Sequence, residues 1–425
     1  MREMKDSGIE WIGEIANTHK LVRLKYVAEI LDEYRKPVTA QYRNQNADIL
    51  YDYYGASGII DKIDGYTIDD HVMLIGEDGA NLKLRNLPLM YEVCGKAWIN
   101  NHAHILKPMK NMDFYYLFYA LEALDINNYI TGSAQPKLNQ ENLKEILIPL
   151  PSYEVQKKVS SYLDTKCSEI DATAEDIQKE ISLLEEYKKS VITEAVTKGL
   201  NPDAEMKDSG IEWIGDINPK ASLCRLKFFS YMKGRIGWQG LKSEDFIDNG
   251  PYCVTGTDFI NGKINWDTCY HVSEERYKMD SNIQLKIGDL LVTKDGTIGK
   301  LAKVTELPEK ACLNSHLLII RPLNERFTNE YLYYVISSDV FVRYYKYSST
   351  GSTIESLSQD KLGNFIFPVY DLLSQQQIVD YLDTKCSEID SLIADKKRQL
   401  DILADYKKSL IYEYVTGKKE VPVNE

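Results

Sequence analysis

Apolar residues recur every seven positions through two stretches of this chain. From Ser152 to Lys198 one row runs Leu163, Ile170, Ile177, Leu184 and Val191, and a second row, Cys167, Ala174 and Ile181, falls four residues later on the same face. From Ser374 to Thr416 the corresponding rows are Leu382, Ile389, Leu403 and Leu410, and Cys386, Ile393 and Leu400, with Lys396 interrupting the first. A strict seven-residue step is the narrow seam of a coiled coil rather than the wide stripe of a helix on a globular core. Pro149 and Pro151 precede the first stretch, Ser374 with Gln377 offers a capping box to the second, and Gly199 and Gly417 supply stops. Two helices of about 45 residues, rising 1.5 Å per residue, make rods of roughly 65–70 Å. Each seam needs a cover. The other rod, run antiparallel, is the nearest candidate; a rod's own domain or another protein is the alternative.

Elsewhere the pattern shortens to strand-like runs punctuated by turns. VMLIGEDGANL sets Asp78-Gly79 between apolar runs, and DLLVTKDGTIGK does the same with Asp295-Gly296, each a hairpin signal. An aromatic helix follows in both, FYYLFYALEAL from Phe114 and YLYYVISSDVF from Tyr331. The predicted middles, 17–150 and 218–370, are therefore mixed strand-and-helix domains.

The two halves are copies of one plan. MKDSGIEWIGEI at Met4 returns as MKDSGIEWIGDI at Met206, an offset of 202, and YLDTKCSEID at Tyr162 returns unchanged at Tyr381, an offset of 219. KAWINNHAHILKP from Lys96 is echoed by KACLNSHLLIIRP from Lys310, and TGSAQPKL from Thr131 by TGSTIESL from Thr350. The growing offset places all extra residues of the second copy between the two alike strings. An internal repeat of this kind predicts an α+β chain: two globular domains joined by a pair of long antiparallel coiled-coil helices, with pseudo-two-fold internal symmetry. Its segments are 1–16 (repeated string), 17–150 (first domain), 151–199 (first helix), 200–217 (linker with the repeated string), 218–370 (second domain), 371–418 (second helix) and 419–425 (tail). Alike helices can do one job twice, while unlike middles can do two related jobs.

The 425 residues hold 51 Lys+Arg and 64 Asp+Glu, a formal charge of −13, which argues against nucleic acid for a uniform body. The charge is not uniform. Residues 17–150 carry −3 and 218–370 carry +2, while the rods and repeated strings carry −12. Seven irregularly spaced Cys without a CxxC pair, and no signal pattern after Met1, lead us to expect a reducing cytoplasm. No apolar run approaches a membrane span of about 18 residues.

Catalytic motifs are missing. No GxGxxG opens a helix, GTIGKL from Gly296 lacks the ending of a phosphate loop, and neither Asn-Pro-Pro-Tyr nor GxSxG occurs. His102 and His104 form a His-x-His, but the second copy keeps only His316, and no Cys or carboxylate lies at a supporting spacing for a metal. His102 and His316 are expected to fasten strand ends through ring hydrogen bonds, with a DNA-facing role as the alternative. Cys167 and Cys386, on the helix seams, are expected to be buried, inert thiols.

What remains is recognition. One polar loop offers Arg35, Lys36, Gln41, Arg43, Asn44 and Gln45, and the unlike loop of the second copy offers Lys233, Arg235, Trp238, Gln239 and Lys242. Arg with Asn or Gln is the set that reads base edges through paired hydrogen bonds, and Lys positions phosphates. Ser133, Gln135 and Lys137 of the first TGS segment, Lys294 and Thr297 about the second Asp-Gly turn, and Ser352 and Thr353 of the second TGS segment complete the candidate DNA-facing residues.

With KDSGIEWIGEI, TGSAQPKL leading to IPLP, and YLDTKCSEID all in order and nearly all repeated, the chain resembles the specificity subunits of type I restriction-modification systems over essentially its whole length. The resemblance implies a non-catalytic subunit whose two target-recognition domains each read one half of a bipartite double-stranded DNA sequence. It implies spacer helices that fix the gap and dock two methyltransferase subunits, with two motor-endonuclease subunits joining the larger complex. S-adenosylmethionine, ATP and Mg²⁺ would be used by those partners, and no membrane is involved. QPKL of the first copy is replaced by IESL in the second, so a role for Gln135 or Lys137 does not carry over. A coiled-coil scaffold joining two ligand-binding modules without DNA specificity is the competing expectation.

Overall fold

The computed structural model describes residues 3–10, 12–39, 41, 48–132, 135–235, 241–349 and 356–422. The chain forms two compact units, Met1–Ile177 with Arg398–Glu425, and Gln178–Lys397. The long helices cover Tyr153–Lys198 and Leu372–Val415, so each unit owns the beginning of one rod and the end of the other.

Within each unit the two rod segments run antiparallel. In the first, Tyr162 packs on Tyr414 with ring centroids 4.6 Å apart, and Lys407 reaches Asp171 at 2.7 Å. In the second, Lys396 meets Glu180 at 2.5 Å and Lys188 meets Asp390 at 2.7 Å. Lys188 and Lys407 hold equivalent places in the repeat, as do Asp171 and Asp390, so one ion pair is made twice. Leu163, Ile170, Ile177, Val191, Leu382, Ile389 and Leu410 are buried, and Leu184 and Leu403 half-buried. Cys167 and Cys386 lie in these seams, where burial pushes both thiols up to about 11 and keeps them protonated.

The ends of the rods follow local chemistry. Gly199 and Gly417 adopt φ of +75° and +73°, the left-handed turn that stops a helix and that a Cβ would strain. The second rod, however, starts at Leu372, ahead of the expected Ser374. Asp371 is the cap, accepting the Ser374 amide at 3.0 Å and its hydroxyl at 2.9 Å.

Each unit builds a six-stranded sheet. Across the first, the order is Ala28–Ile30, Ala103–Pro108, Ile68–Gly76, Met90–Ile99, Tyr51–Gly55 and Gly58–Ile63. Across the second it is Ser230–Gly234, Leu317–Pro322, Leu290–Thr293, Leu301–Lys303, Lys263–Ile264 and Phe259–Ile260. In both, the fourth and fifth strands pair in parallel and every other pairing is antiparallel. The outer hairpin is entered in opposite order, its first strand lying inward in one sheet and outward in the other. The second unit also adds a three-stranded sheet of Tyr270–Val272, Phe246–Val254 and Ala311–Leu313. The Asp295-Gly296 turn closes a hairpin as expected. After Gly76 the chain instead spends 77–89, including the short helix Asn81–Leu84, before its partner strand begins.

The aromatic helices, Phe114–Ala123 and Asn329–Ser337, fix each sheet to its rods. The buried Tyr116 hydroxyl donates towards the carbonyls of Pro149 at 2.7 Å and Val415 at 3.0 Å. Tyr331 repeats this with Pro368 at 2.9 Å and Val196 at 3.3 Å. One turn later Tyr119 bonds Asp164 and Tyr334 bonds Asp383, both on the rods. Burial is the main reason all four phenols are held above their ordinary range. No helix among the described residues is long and apolar enough to cross a membrane.

Candidate nucleic-acid interface

The alternation of strand directions brings three strand ends to one end of each sheet. In the first unit these are the end of Ala28–Ile30, the start of Ala103–Pro108 and the end of Ile68–Gly76. Residues 131–132 and 135–138 lie beside them. Leu138 donates its amide to the Glu77 carbonyl at 2.7 Å, Gly79 to Pro136 at 3.1 Å, and Glu77 to His102 at 2.8 Å. The second unit builds the same frame around Lys294, whose amide meets the His316 carbonyl at 2.9 Å and whose carbonyl accepts the Leu357 amide at 2.8 Å. The ring of His102 bonds Asp78 at 2.7 Å and that of His316 bonds Asp295 at 3.2 Å, so each histidine fastens an Asp-Gly turn beside a strand start.

On this shared frame the side chains differ. In the first unit a charged cluster forms among Asp32, Arg35, Glu77, His104 and Lys137. Arg35 lies 3.1 Å from Asp32 and pairs with Glu77, while Lys137 reaches Glu77 at 3.0 Å. Asp32 also accepts the Ile105 amide at 3.1 Å, Gln140 at 3.2 Å and the His104 ring at 2.6 Å. Burial opposes ionisation of both acids, yet the bonds from His104 and Ile105 to Asp32, and from Arg35 and Lys137 to Glu77, hold them below their ordinary values. Lys36, Gln41 and Gln135 are exposed, and Lys137 is half exposed at 52 % despite its ion pair.

In the second unit Lys294 occupies the place of Glu77, a reversal of charge. It is half-buried, as is Lys233, whereas Thr297 and Lys242 are exposed, the latter 3.6 Å from Glu244. Arg235 departs from expectation. Only 3 % exposed, it turns into the fold, with Nε donating to the Leu313 carbonyl at 2.9 Å and Nη2 lying 3.4 Å from Cys312 Sγ. Its Nη1 has no hydrogen-bond partner among the described residues. Here Arg235 anchors the base of its loop, and Arg35, 18 % exposed, is largely engaged in the same way. Arg43, Asn44, Gln45, Ser133, Trp238, Gln239, Ser352 and Thr353 lie outside the described residues.

Three members of the first cluster, Asp32, Glu77 and His104, were not expected at the site. A signal for His104 exists in AHILKP, where it stands inside an apolar strand run and must find polar partners. Asp32 and Glu77 carry no comparable signal, because their partners lie far away in sequence.

The profile of the type I restriction modification DNA specificity domain matches residues 17–183 and again 239–401. The chain belongs to the type I restriction-modification specificity subunits. A Haemophilus influenzae protein assigned as such a subunit is 27 % identical over 371 residues, 85 % of this chain and 86 % of its own length. A type I restriction enzyme specificity subunit of Methanocaldococcus jannaschii is 25 % identical over 336 residues, 77 % of this chain and 76 % of its own. One chain of a solved type I restriction-modification system aligns over 95 % of this chain and 99 % of itself, with a TM-score of 0.66 at 15 % identity, a likeness of fold. The profile's two matches fall on the two copies of the repeat, so this specificity subunit carries one DNA specificity domain in each.

Proposed function

We propose that this specificity subunit reads an asymmetric bipartite DNA target, each unit's strand-end loops contacting one half. The recognition domains are 17–150 and 218–370, and the helical segments 151–199 and 371–418 set the gap and seat two methyltransferase subunits. In this reading the chain works in the cytoplasm without chemistry of its own, and two motor-endonuclease subunits complete the assembly. S-adenosylmethionine, ATP and Mg²⁺ belong to those partners. The observation that carries the reading is one frame built twice with unlike side chains. Glu77 with Lys137 in the first unit becomes Lys294 with Ser356 in the second. Equal rods suit two copies of one partner, and unequal ends suit two different half-sites.

Binding of the complex with its methyltransferase to a randomised duplex library, measured against salt, tests this. Selection of two unlike sequence blocks at a fixed separation is expected. Lys294→Ala should weaken binding to all sequences and lower the salt slope by about one if it contacts a phosphate. Absence of any preferred sequence at every salt concentration would favour the competing scaffold.

A further inference from the structure

We propose that His104 is a positioning residue for the first half-site, its doubly protonated ring clasping the loop after Asp32 to the segment ending at Leu138. This inference rests on the DNA-reading function proposed above.

The ring is 1 % exposed and sits on the strand Ala103–Pro108, beneath the loops. Its Nδ1 lies 2.6 Å from Asp32 Oδ2 and its Nε2 lies 2.8 Å from the Leu138 carbonyl oxygen. A neutral imidazole has one donor and one acceptor, whereas a carboxylate and a carbonyl only accept, so satisfying both contacts requires a proton on each nitrogen. Placing a ring lone pair against the Leu138 carbonyl would leave two buried acceptors facing each other. Asp32 is ionised and held there by Arg35 and Gln140 as well, and Glu77 Oε2 lies 3.9 Å from Nε2, with Arg35 and Lys137 on its other sides.

The clasp joins the two candidate reading segments. Asp32 begins the loop bearing Arg35, Lys36 and Gln41, and Leu138 closes the segment bearing Gln135 and Lys137. In the second unit the same strand position is Leu318, whose side chain cannot donate a hydrogen bond. Loss of His104 should therefore blur one half-site and spare the other.

Two measurements decide it. With ¹⁵N-histidine in the full chain at pH 7, one ring should show protons on both nitrogens and disappear from the spectrum of His104→Leu. A neutral, singly protonated His104 ring would overturn the proposal without any variant needing to function. In the methyltransferase complex, His104→Leu should lower discrimination at one half-site by about tenfold, the scale of one charge-assisted hydrogen bond, and leave the other half unchanged. His104→Gln, which keeps one donor, should recover part of it. Equal loss at both halves, or none, would overturn the clasp. A wild-type complex without sequence preference would instead strike the DNA-reading function, and the ring spectrum would still decide the protonation.

Discussion

Asp32 shows how far single residues at this site depend on partners distant in the chain. It gathers bonds from Ile105, His104, Arg35 and Gln140, and only the fold brings them together. Its carboxyl is held below the ordinary 3.8 and that of Glu77 below 4.5, so both contribute stability above those values and lose it as pH falls through their lowered folded values. Asp32→Asn is expected to destabilise the chain by about 1–3 kcal/mol at pH 7 in urea unfolding, with the difference from wild type shrinking once the native acid is also protonated. Residue type alone identified Arg35 and Arg235 as candidates for base contact. It could not tell a guanidinium facing solvent from one bonded to Glu77 or to the Leu313 carbonyl, because composition carries no direction.

At the scale of elements, the rods were the most legible part, since a seven-residue period is a local signal that tertiary packing then uses unchanged. The cap at Asp371 was missed because Ser374 with Gln377 offered a familiar pattern three residues later, and only the hydrogen bonds separate the two. The exchanged outer hairpins were illegible for a different reason: either order pairs the same strands with the same alternation. The attachment of sheet to rod hangs on Tyr116 and Tyr331. Tyr116→Phe or Tyr331→Phe leaves two carbonyls without that donor, and each should cost about 1–3 kcal/mol in urea unfolding. If the rods set the gap, removing one heptad from each about Ile177 and Lys397 should shorten the separation between half-sites by roughly 3 base pairs, given 1.5 Å per residue against 3.4 Å per base pair. Unchanged spacing with activity retained would contradict the ruler.

For the whole molecule, the −13 resolves into acidic rods and repeated strings carrying −12 beside domains carrying −3 and +2. The acidity therefore lies mainly outside the two domains, which are close to neutral and do not repel DNA by net charge as the chain's average would. Duplication explains why so much was readable: each half checks the other, and agreement between Tyr116 and Tyr331, or between Lys188 and Lys407, marks what the shared plan needs. Disagreement, as at Glu77 and Lys294 or His104 and Leu318, is where the proposed reading places the difference between the two half-sites. The most direct measurement replaces residues 17–150 with the corresponding domain of another specificity subunit and maps methylated sites in the host genome. One half-site should change while the other half is retained; a change in both halves, or in neither, would contradict the assignment of one half-site to each unit.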